Sequence, residues 1–380
     1  MWPFKSKTKF SLGIDIGTVS IKAVELFRDQ GRVKLANYVI YDAQKKYLNA
    51  NNEGIQSRSL KILDNETAEI IRDLISEAKF NSREAVFSLP VFSTFTTLIE
   101  LPAMPYEEIE HAINFKVKQY IPIPLSDVVY GWELIGGNKN ENKTDNSSNA
   151  FSKESGKIRV LLMAAPKEII NKYSNIARLA GLNVAGIESE TFSLIRSVLG
   201  NDSSLACVAD IGSKNTNIAI IDKGFLIINH NMDVAGGEFT KIITNAMGVD
   251  WIRAEEIKRD EGVKNHASGL SPDKSDYFKG EKEIASILYP IIDIVVLEID
   301  RIIGIYNKKT GRSVSKIILA GGSARLPGIS EYLSKKLNKS VFIGDPLSRM
   351  VYPPQLENIL KARAPRFAVA IGAAMKNLGN

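Results

Sequence analysis

Two copies of one short pattern constrain this chain more than any other feature of its sequence. In each copy an apolar run ends in Asp-Ile-Gly, passes through small polar residues and returns as a second apolar run, at residues 12–26 and 205–221. A glycine at this place allows a tight turn and a close backbone approach. Because a repeated supersecondary unit is a stronger indication than either copy alone, the sequence predicts two matching β-hairpins.

The turns of both hairpins carry groups that suit phosphate oxygens. Backbone N–H groups and hydroxyls line such turns, and a carboxylate at each strand end, Asp15 or Asp210, would hold Mg²⁺ through water. Each turn alone would fit an ordinary hairpin better, but the pair predicts a phosphate chain held between two lobes. The candidate residues are Asp15, Gly17, Thr18, Ser20 and Lys22 in the first hairpin, and Asp210, Gly212, Asn215 and Thr216 in the second.

A third segment extends this pattern. Residues 317–329 form an apolar strand, a glycine turn and a helix start, with Pro327 where a missing N–H costs nothing. In order and spacing the three segments resemble the two phosphate motifs and the adenosine motif of the actin/Hsp70/sugar-kinase ATPase superfamily. The resemblance implies an α/β protein with an actin-like (ribonuclease-H-like) two-lobed fold, and ATP and Mg²⁺ as its cofactors.

Length and composition limit the class of protein. A chain of 380 residues exceeds a single core, so two or more domains are expected. The single cysteine excludes an internal disulfide framework, and the three scattered histidines offer no metal-binding spacing. No signal peptide is visible, and charges interrupt the most apolar stretch, 284–305. These features predict a cytoplasmic protein.

The net charge of +6 allows two interpretations. It indicates either attraction to anionic lipid or nucleic acid, or a generally basic surface. No basic stripe interleaved with aromatic residues is present, so we expect no nucleic-acid partner.

Residues 101–129 narrow the family. Leu-Pro-Ala-Met-Pro at 101–105 precedes an amphipathic helix at 106–120, and Tyr-Ile-Pro-Ile-Pro-Leu-Ser-Asp-Val-Val follows at 120–129. These segments resemble the PilM family of type IV pilus assembly proteins, which shares with FtsA an inserted subdomain that actin lacks. The resemblance covers nearly the whole chain and implies an inserted α+β subdomain in the first lobe.

The expected divisions of the chain follow from that resemblance. They are the first part of the first lobe at 1–82, the inserted subdomain at 83–165 with a disordered loop at 136–156, the remaining first lobe at 166–200, the second lobe at 201–365 and a C-terminal hinge helix at 366–380.

Further site residues come from the second lobe. Gly236 and Gly237 introduce a helix predicted from about Glu238, whose N-terminus would suit phosphate or ribose oxygens, or would be a simple turn and cap. Glu255 and Lys258 share a helical face. Alone they would form a solvated ion pair, whereas the resemblance implies that they bracket the ribose and adenine. It also places Gly321, Gly322, Ser323 and Arg325 beside the adenine and α-phosphate.

Hydrolysis requires a group that orients or deprotonates a water facing the terminal phosphate. The available carboxylates are Glu188 and Glu190, of which the resemblance favours Glu190. It implies at most a slow ATPase.

The resemblance implies an ATP-binding adaptor, peripheral to the inner membrane, in the machinery of pilus assembly and twitching motility. Its expected partners are the cytoplasmic N-terminal segment of PilN and other platform proteins, with ATP setting the lobe arrangement and membrane contact only through a partner. The alternatives are an FtsA-like polymerising cytoskeletal ATPase and a small-molecule kinase.

Overall fold

The computed structural model describes residues 8–42, 64–121, 123–135, 157–264 and 279–379. The loop at 136–156, predicted to be disordered, lies outside these residues. Within the described ranges, no helix combines the length and apolar character needed to cross a membrane.

The described strands are β1 (Phe10–Ile16), β2 (Ser20–Asp29), β3 (Arg32–Asp42), β4 (Glu84–Leu89), β5 (Phe95–Pro102), β6 (Val128–Ile135), β7 (Lys157–Pro166), β8 (Asn183–Ser189), β9 (Ala206–Ile211), β10 (Thr216–Asp222), β11 (Phe225–Met232), β12 (Lys316–Ala320) and β13 (Ser340–Ile343). The described helices are α1 (Asp64–Glu77), α2 (Tyr106–Tyr120), α3 (Lys167–Leu179), α4 (Glu190–Val198), α5 (Gly236–Met247), α6 (Trp251–Glu261), α7 (Lys279–Thr310), α8 (Ile329–Leu337) and α9 (Glu357–Leu378).

Two five-stranded sheets repeat one topology. The first has the order β3-β2-β1-β4-β8 and the second β11-β10-β9-β12-β13. In each, three antiparallel strands form a meander, and two parallel strands extend it on the other side. The predicted hairpins are β1–β2 and β9–β10, at equivalent places in the two sheets. The chain therefore has the predicted actin-like, two-lobed architecture, with one such sheet in each lobe.

The two faces of strand β1 pack against different neighbours. Leu12 and Ile14 belong to the core that α1 and α3 cover. On the opposite face of the strand stand the small residues Ser11 and Gly13. The Ser11 hydroxyl donates to the carbonyl of Ala374 in α9 at 2.7 Å, and a Cβ on Gly13 would lie 2.1 Å from the Ala370 carbonyl oxygen. Small side chains thus bring α9 into direct contact with the strand that leads to the first hairpin.

A third sheet lies in the inserted part of the chain. Strands β5, β7 and β6 pair antiparallel in that order, and α2 packs on one face. We call β5, α2, β6 and β7 the inserted unit. The unit was predicted to begin at residue 83, but β4 pairs with β1 in the first sheet, so its own sheet begins at Phe95.

The other face of the inserted unit contacts the second lobe. Ile135 and Leu161 share a core with residues of β9 and β10, and Leu98 packs against that core together with Phe225 and Ile227 of β11. At the surface, Lys309 of α7 forms an ion pair with Glu100 of β5 at 3.3 Å. The unit therefore spans from one lobe to the other.

Helix α9 is longer than the hinge helix predicted at 366–380. It begins at Glu357 and includes Pro365. The sequence indicated a later start because proline removes a helical hydrogen bond and usually marks a boundary. The additional turns bring Arg363 to the cleft between the lobes.

Helix α9 also touches α4 so closely that Gly372 has no room for a side chain. An added Cβ would lie 1.7 Å from the Ser193 carbonyl oxygen, whereas one on Gly304, within α7, would meet nothing within 4 Å. We expect Gly372→Ala to destabilise the protein by about 1–3 kcal/mol through overpacking. Gly304→Ala should stabilise it by about 1 kcal/mol through helix propensity. Denaturant unfolding of both variants measures the difference, and equal stabilities would contradict the close α4–α9 packing.

Candidate functional site

The two hairpins close in the same way. Gly17 N–H donates to the Ser20 carbonyl at 2.9 Å, and Gly212 N–H donates to the Asn215 carbonyl at 3.0 Å. Because equivalent strands carry them, the two turns lie on opposite sides of one cavity of about 510 Å³. This volume falls within the range of small-molecule sites.

Most of the predicted site residues line this cavity. They are Asp15, Gly17, Thr18, Ser20, Lys22, Glu190, Asp210, Gly212, Asn215, Gly236, Gly237, Glu255, Lys258, Gly321, Gly322, Ser323 and Arg325. Glu188 and Thr216 do not line it. The structure thus brings together segments that the sequence separates by some three hundred positions, from Asp15 to Arg325.

Glu188 is held away from the cavity by basic side chains. Its carboxylate accepts from both Arg196 amino groups, at 2.6 and 3.0 Å, and from the Ser193 hydroxyl at 2.6 Å. Lys376 of α9 adds an ion pair at 3.1 Å. Burial raises the pKa of Glu188, but these partners outweigh burial and keep the pKa below its usual range. The carboxylate joins α4 to α9 and lies outside the cavity lining, which leaves Glu190 as the carboxylate of this pair at the cavity.

Thr216 is also directed elsewhere. Its buried hydroxyl donates to the Val234 carbonyl at 2.7 Å, whereas the next residue, Asn217, lines the cavity. The side chain of Asn217 donates to the Thr191 hydroxyl at 3.0 Å, and its Oδ1 is buried with no hydrogen-bond partner among the described residues. Neighbouring strand residues point to opposite faces. The sequence did not fix which of the two would face the cleft.

Three carboxylates, Asp15, Glu190 and Asp210, line the cavity near Lys22. Asp15 accepts from Lys22 Nζ at 2.8 Å. Burial, and then the carboxylates of Asp210 and Asp15, raise the pKa of Glu190 to about 8. Burial and Asp15 likewise raise the pKa of Asp210 to about 6. This part of the cavity has an excess of carboxylates over cations, which suits a bound cation.

The turns of the second lobe pack directly against each other. Gly236 N–H donates to the Gly212 carbonyl at 3.0 Å, Gly237 N–H donates to the Ser213 carbonyl at 2.7 Å, and the Ser323 hydroxyl donates to the Gly212 carbonyl at 3.2 Å. Helix α5 begins at Gly236, two residues before the predicted start. The N-terminus of this helix was predicted either to suit phosphate or ribose oxygens or to be a simple turn and cap, and the N–H groups of Gly236 and Gly237 bind the second hairpin.

Lys258 has a similar internal role. Its ammonium group donates to the Gly236 carbonyl at 2.9 Å, to the Thr240 hydroxyl at 2.7 Å and to Glu255 at 2.5 Å. An ammonium group has three N–H bonds, so all its donors are used. Lys258 therefore fixes the start of α5. Glu255, which also accepts from Arg259 at 2.8 Å, stands at the cavity wall beside it.

Several cationic residues of the cavity were not predicted. Lys214, Arg259, Arg363 and Arg366 join Lys22, Lys258 and Arg325 in its lining, so seven cations face four carboxylates. Arg366 is paired with Asp42 at 3.1 Å. The sequence signal for these residues was the run 361–366, which places three cations on one helix. Local sequence alone does not show that this helix, α9, reaches the cleft. The overall balance suits an anionic ligand.

Two repeated ribonuclease-H-like sheets, with glycine hairpins facing each other across a cleft, define an actin-like protein. The chain belongs to the family described as type IV pilus assembly protein PilM, which it matches over residues 13–378.

Comparisons with individual proteins agree with this assignment. The chain is 19% identical over 322 residues to the cell division protein FtsA of Staphylococcus epidermidis, covering 77% of this chain and 67% of FtsA. It superposes on a solved PilM-PilN type IV pilus biogenesis complex with a TM-score of 0.77 and 20% identity, covering 97% of this chain and 99% of that one. ADP-bound MreB5 of Spiroplasma citri gives a TM-score of 0.52 at 12% identity, covering 97% and 96%. At these identities the structures show the shared fold.

The raised pKa of Glu190, about 8, predicts a pH dependence of stability. Between roughly pH 4.5 and 8 the folded protein keeps a proton that the unfolded chain loses, so stability should fall as the pH rises. We expect Glu190→Gln to lessen this fall between pH 5 and 8 by about 1–3 kcal/mol, a reduced value because part of the carboxyl group stays hydrated.

Denaturant unfolding without nucleotide at pH 5, 6.5 and 8 measures this effect. Glu108→Gln, at an exposed position of α2, is the matched control and should follow the wild-type protein. Parallel curves for Glu190→Gln and the wild-type protein would contradict the raised pKa.

Proposed function

We propose that this protein is an ATP-binding adaptor of the type IV pilus assembly platform, in which the bound nucleotide sets the arrangement of the lobes. The observation that carries the proposal is the cavity between the two hairpins, in a chain that belongs to a pilus assembly family. The actin-like fold shared with ADP-bound MreB5 supports a nucleotide as the ligand.

The residues present fit a nucleotide and its cation. The hairpin turns, with Lys22 and Lys214, would surround the phosphates, while Asp15 and Asp210 would hold Mg²⁺. Among the described residues no three acidic, histidine or cysteine side chains form a group that holds a metal directly. Magnesium usually keeps several waters and uses only one or two carboxylates together with phosphate oxygens. Bound Mg²⁺ would neutralise phosphate charge and the excess of carboxylates between the hairpins.

The base and ribose would occupy the other end of the cavity. Glu255 can accept hydrogen bonds from ribose hydroxyls, and Lys258 acts behind it by holding Gly236 at the start of α5. The turn at Gly321–Ser323 and Arg325 would face the base and the α-phosphate. Glu190, on the wall near both aspartates, is the candidate for orienting a water against the terminal phosphate. Its pKa, raised to about 8, keeps most of its population protonated near neutral pH, which fits slow turnover.

The proposed partner is the cytoplasmic N-terminal segment of PilN. Family membership and the fold shared with the PilM-PilN complex support this choice. The inserted unit also carries exposed large apolar side chains, including Tyr106 at 60%, Phe115 at 72% and Val129 at 49% exposure. Val129 lies on the face of the sheet opposite α2, so these side chains are separate apolar contact points rather than one patch. Contact with the inner membrane, and with other platform proteins, would follow from this attachment.

Asp210→Ala tests the nucleotide site. Removing the carboxylate should weaken Mg-ATP binding about tenfold or more, because one of the two candidate cation ligands is lost. The control is Asp260→Ala, which removes the same charge from an exposed position of α6 outside the cavity. Equilibrium binding of a fluorescent ATP analogue measures the affinities, with thermal unfolding to verify the fold. Equal affinities in the two variants would refute the site.

A second measurement separates the adaptor from its alternatives. With Mg-ATP, we expect saturable binding of a PilN N-terminal peptide, phosphate release barely above background and no sedimenting assemblies. The FtsA relatives make filament formation the principal alternative. Filaments that depend on ATP, or rapid turnover without peptide binding, would favour a cytoskeletal ATPase or a kinase.

A further inference from the structure

The inserted unit is joined to the first lobe by two chain connections. One is the segment 90–94 between β4 and β5, and the other is the junction of β7 with α3 at Pro166–Lys167. The first contains a 3-10 turn at Val91–Ser93, closed by hydrogen bonds from Ser93 N–H to the Pro90 carbonyl at 3.0 Å and from Thr94 N–H to the Val91 carbonyl at 3.0 Å. We call residues 90–94 the connecting turn.

The connecting turn is tied to the start of α4. Val91 N–H donates to Glu190 Oε1 at 2.9 Å, and the Thr94 hydroxyl donates to the Ser189 hydroxyl at 3.3 Å. The first contact involves a carboxylate of the cavity wall, whereas Thr94 and Ser189 are not part of the cavity lining. The connecting turn also contributes Pro90 and Phe92 to that lining. A single carboxylate therefore contacts both the cavity and the chain that leads into the inserted unit.

Glu190 stands in a crowded electrostatic environment. Asp210 and Asp15 act on it as neighbouring negative charges, and Lys22 as a positive one. A triphosphate with its cation would place new charges and water next to the same carboxylate. A diphosphate, lacking the terminal group, would change the surroundings of Glu190 less.

We propose that the hydrogen bond from Val91 N–H to Glu190 is a latch that reports the terminal phosphate to the inserted unit. This proposal rests on the proposed function, because it assumes that the cavity holds a nucleotide. With a diphosphate, Glu190 keeps Val91 and the connecting turn is held. With a triphosphate, the water and cation at the terminal phosphate compete for the carboxylate, and the connecting turn is released.

The size of the effect follows from one hydrogen bond. The connecting turn exchanges between a held and a released state. A nucleotide shifts this equilibrium only by the difference between its affinities for the two states. Loss of one net hydrogen bond corresponds to about a fivefold change in the population of the open turn. By reciprocity, a partner that binds the inserted unit with the turn released would favour the triphosphate by the same factor.

Hydrogen–deuterium exchange of peptides covering residues 90–99 tests the latch directly. The wild-type protein is compared without nucleotide, with saturating Mg-ADP and with saturating Mg-AMPPNP. We expect about fivefold faster exchange at Val91 with Mg-AMPPNP than with Mg-ADP. Equal exchange in the two complexes, or slower exchange with Mg-AMPPNP, would overturn the proposal.

Two substitutions of Glu190 distinguish the latch from general loosening. Glu190→Gln keeps an oxygen that accepts from Val91 N–H but cannot ionise when the cation and terminal phosphate bind, so exchange should stay slow with both nucleotides. Glu190→Ala removes the acceptor, so exchange should be fast with both. Tyr130→Phe is the control, because it removes a hydrogen bond to Asn114 inside the inserted unit, 2.8 Å long and outside the cavity lining. It should preserve the wild-type difference.

A separate titration with a fluorescent nucleotide shows which proposal fails. If the wild-type protein binds no nucleotide, the proposed function falls and the latch with it. If nucleotide binds but the exchange of residues 90–99 is the same with both nucleotides, only the latch is overturned. A Glu190→Gln protein that still shows the full wild-type difference would also overturn it.

Discussion

The geometry of the cleft depends on how closely three turns of the second lobe approach each other. A Cβ on Gly236 would lie 2.3 Å from Ser323 Oγ, and one on Gly321, at a φ of +82°, would lie 2.3 Å from Asp210 Oδ1. The glycines therefore serve contacts within the protein before any contact with a ligand. Because these turns share hydrogen bonds through the Gly212 carbonyl, the second hairpin, α5 and the β12 turn form one rigid wall.

The first lobe builds its side of the cleft differently. Besides the Gly17–Ser20 hydrogen bond, its hairpin carries the Asp15–Lys22 ion pair at 2.8 Å. Both groups are charged and face the cavity, so a bound ion can exchange partners with them without breaking the backbone. The site thus combines a fixed wall with one whose charges can be rearranged. Because one wall is fixed and the other can rearrange its charges, the two lobes can respond unequally to a ligand.

The sequence predicted those parts of the site that have a local pattern. Strand alternation and Asp-Ile-Gly placed both hairpins, because each is built from consecutive residues. The residue pattern alone did not separate Glu188 from Glu190, which only the family resemblance ranked, since the chain changes from β8 to α4 between them and alternation no longer applies. It missed Arg363 because the cleft position of α9 is set by the contacts of Gly13 and Gly372, which lie in distant segments. Interactions between remote elements account for most of what was missed.

The contact between the inserted unit and the second lobe has a mechanical consequence. The lobes are connected at α4 and α9, and again where Leu98 and Phe225 pack against one shared core and Glu100 pairs with Lys309. These links form a closed circuit, so the lobes cannot turn about one axis while every other contact stays fixed. Any rotation must carry the inserted sheet with one lobe or shear it along β11. The mobility of the cleft is therefore limited by a surface far from the nucleotide motifs, where substitutions would alter rates of ligand exchange without touching the ligand.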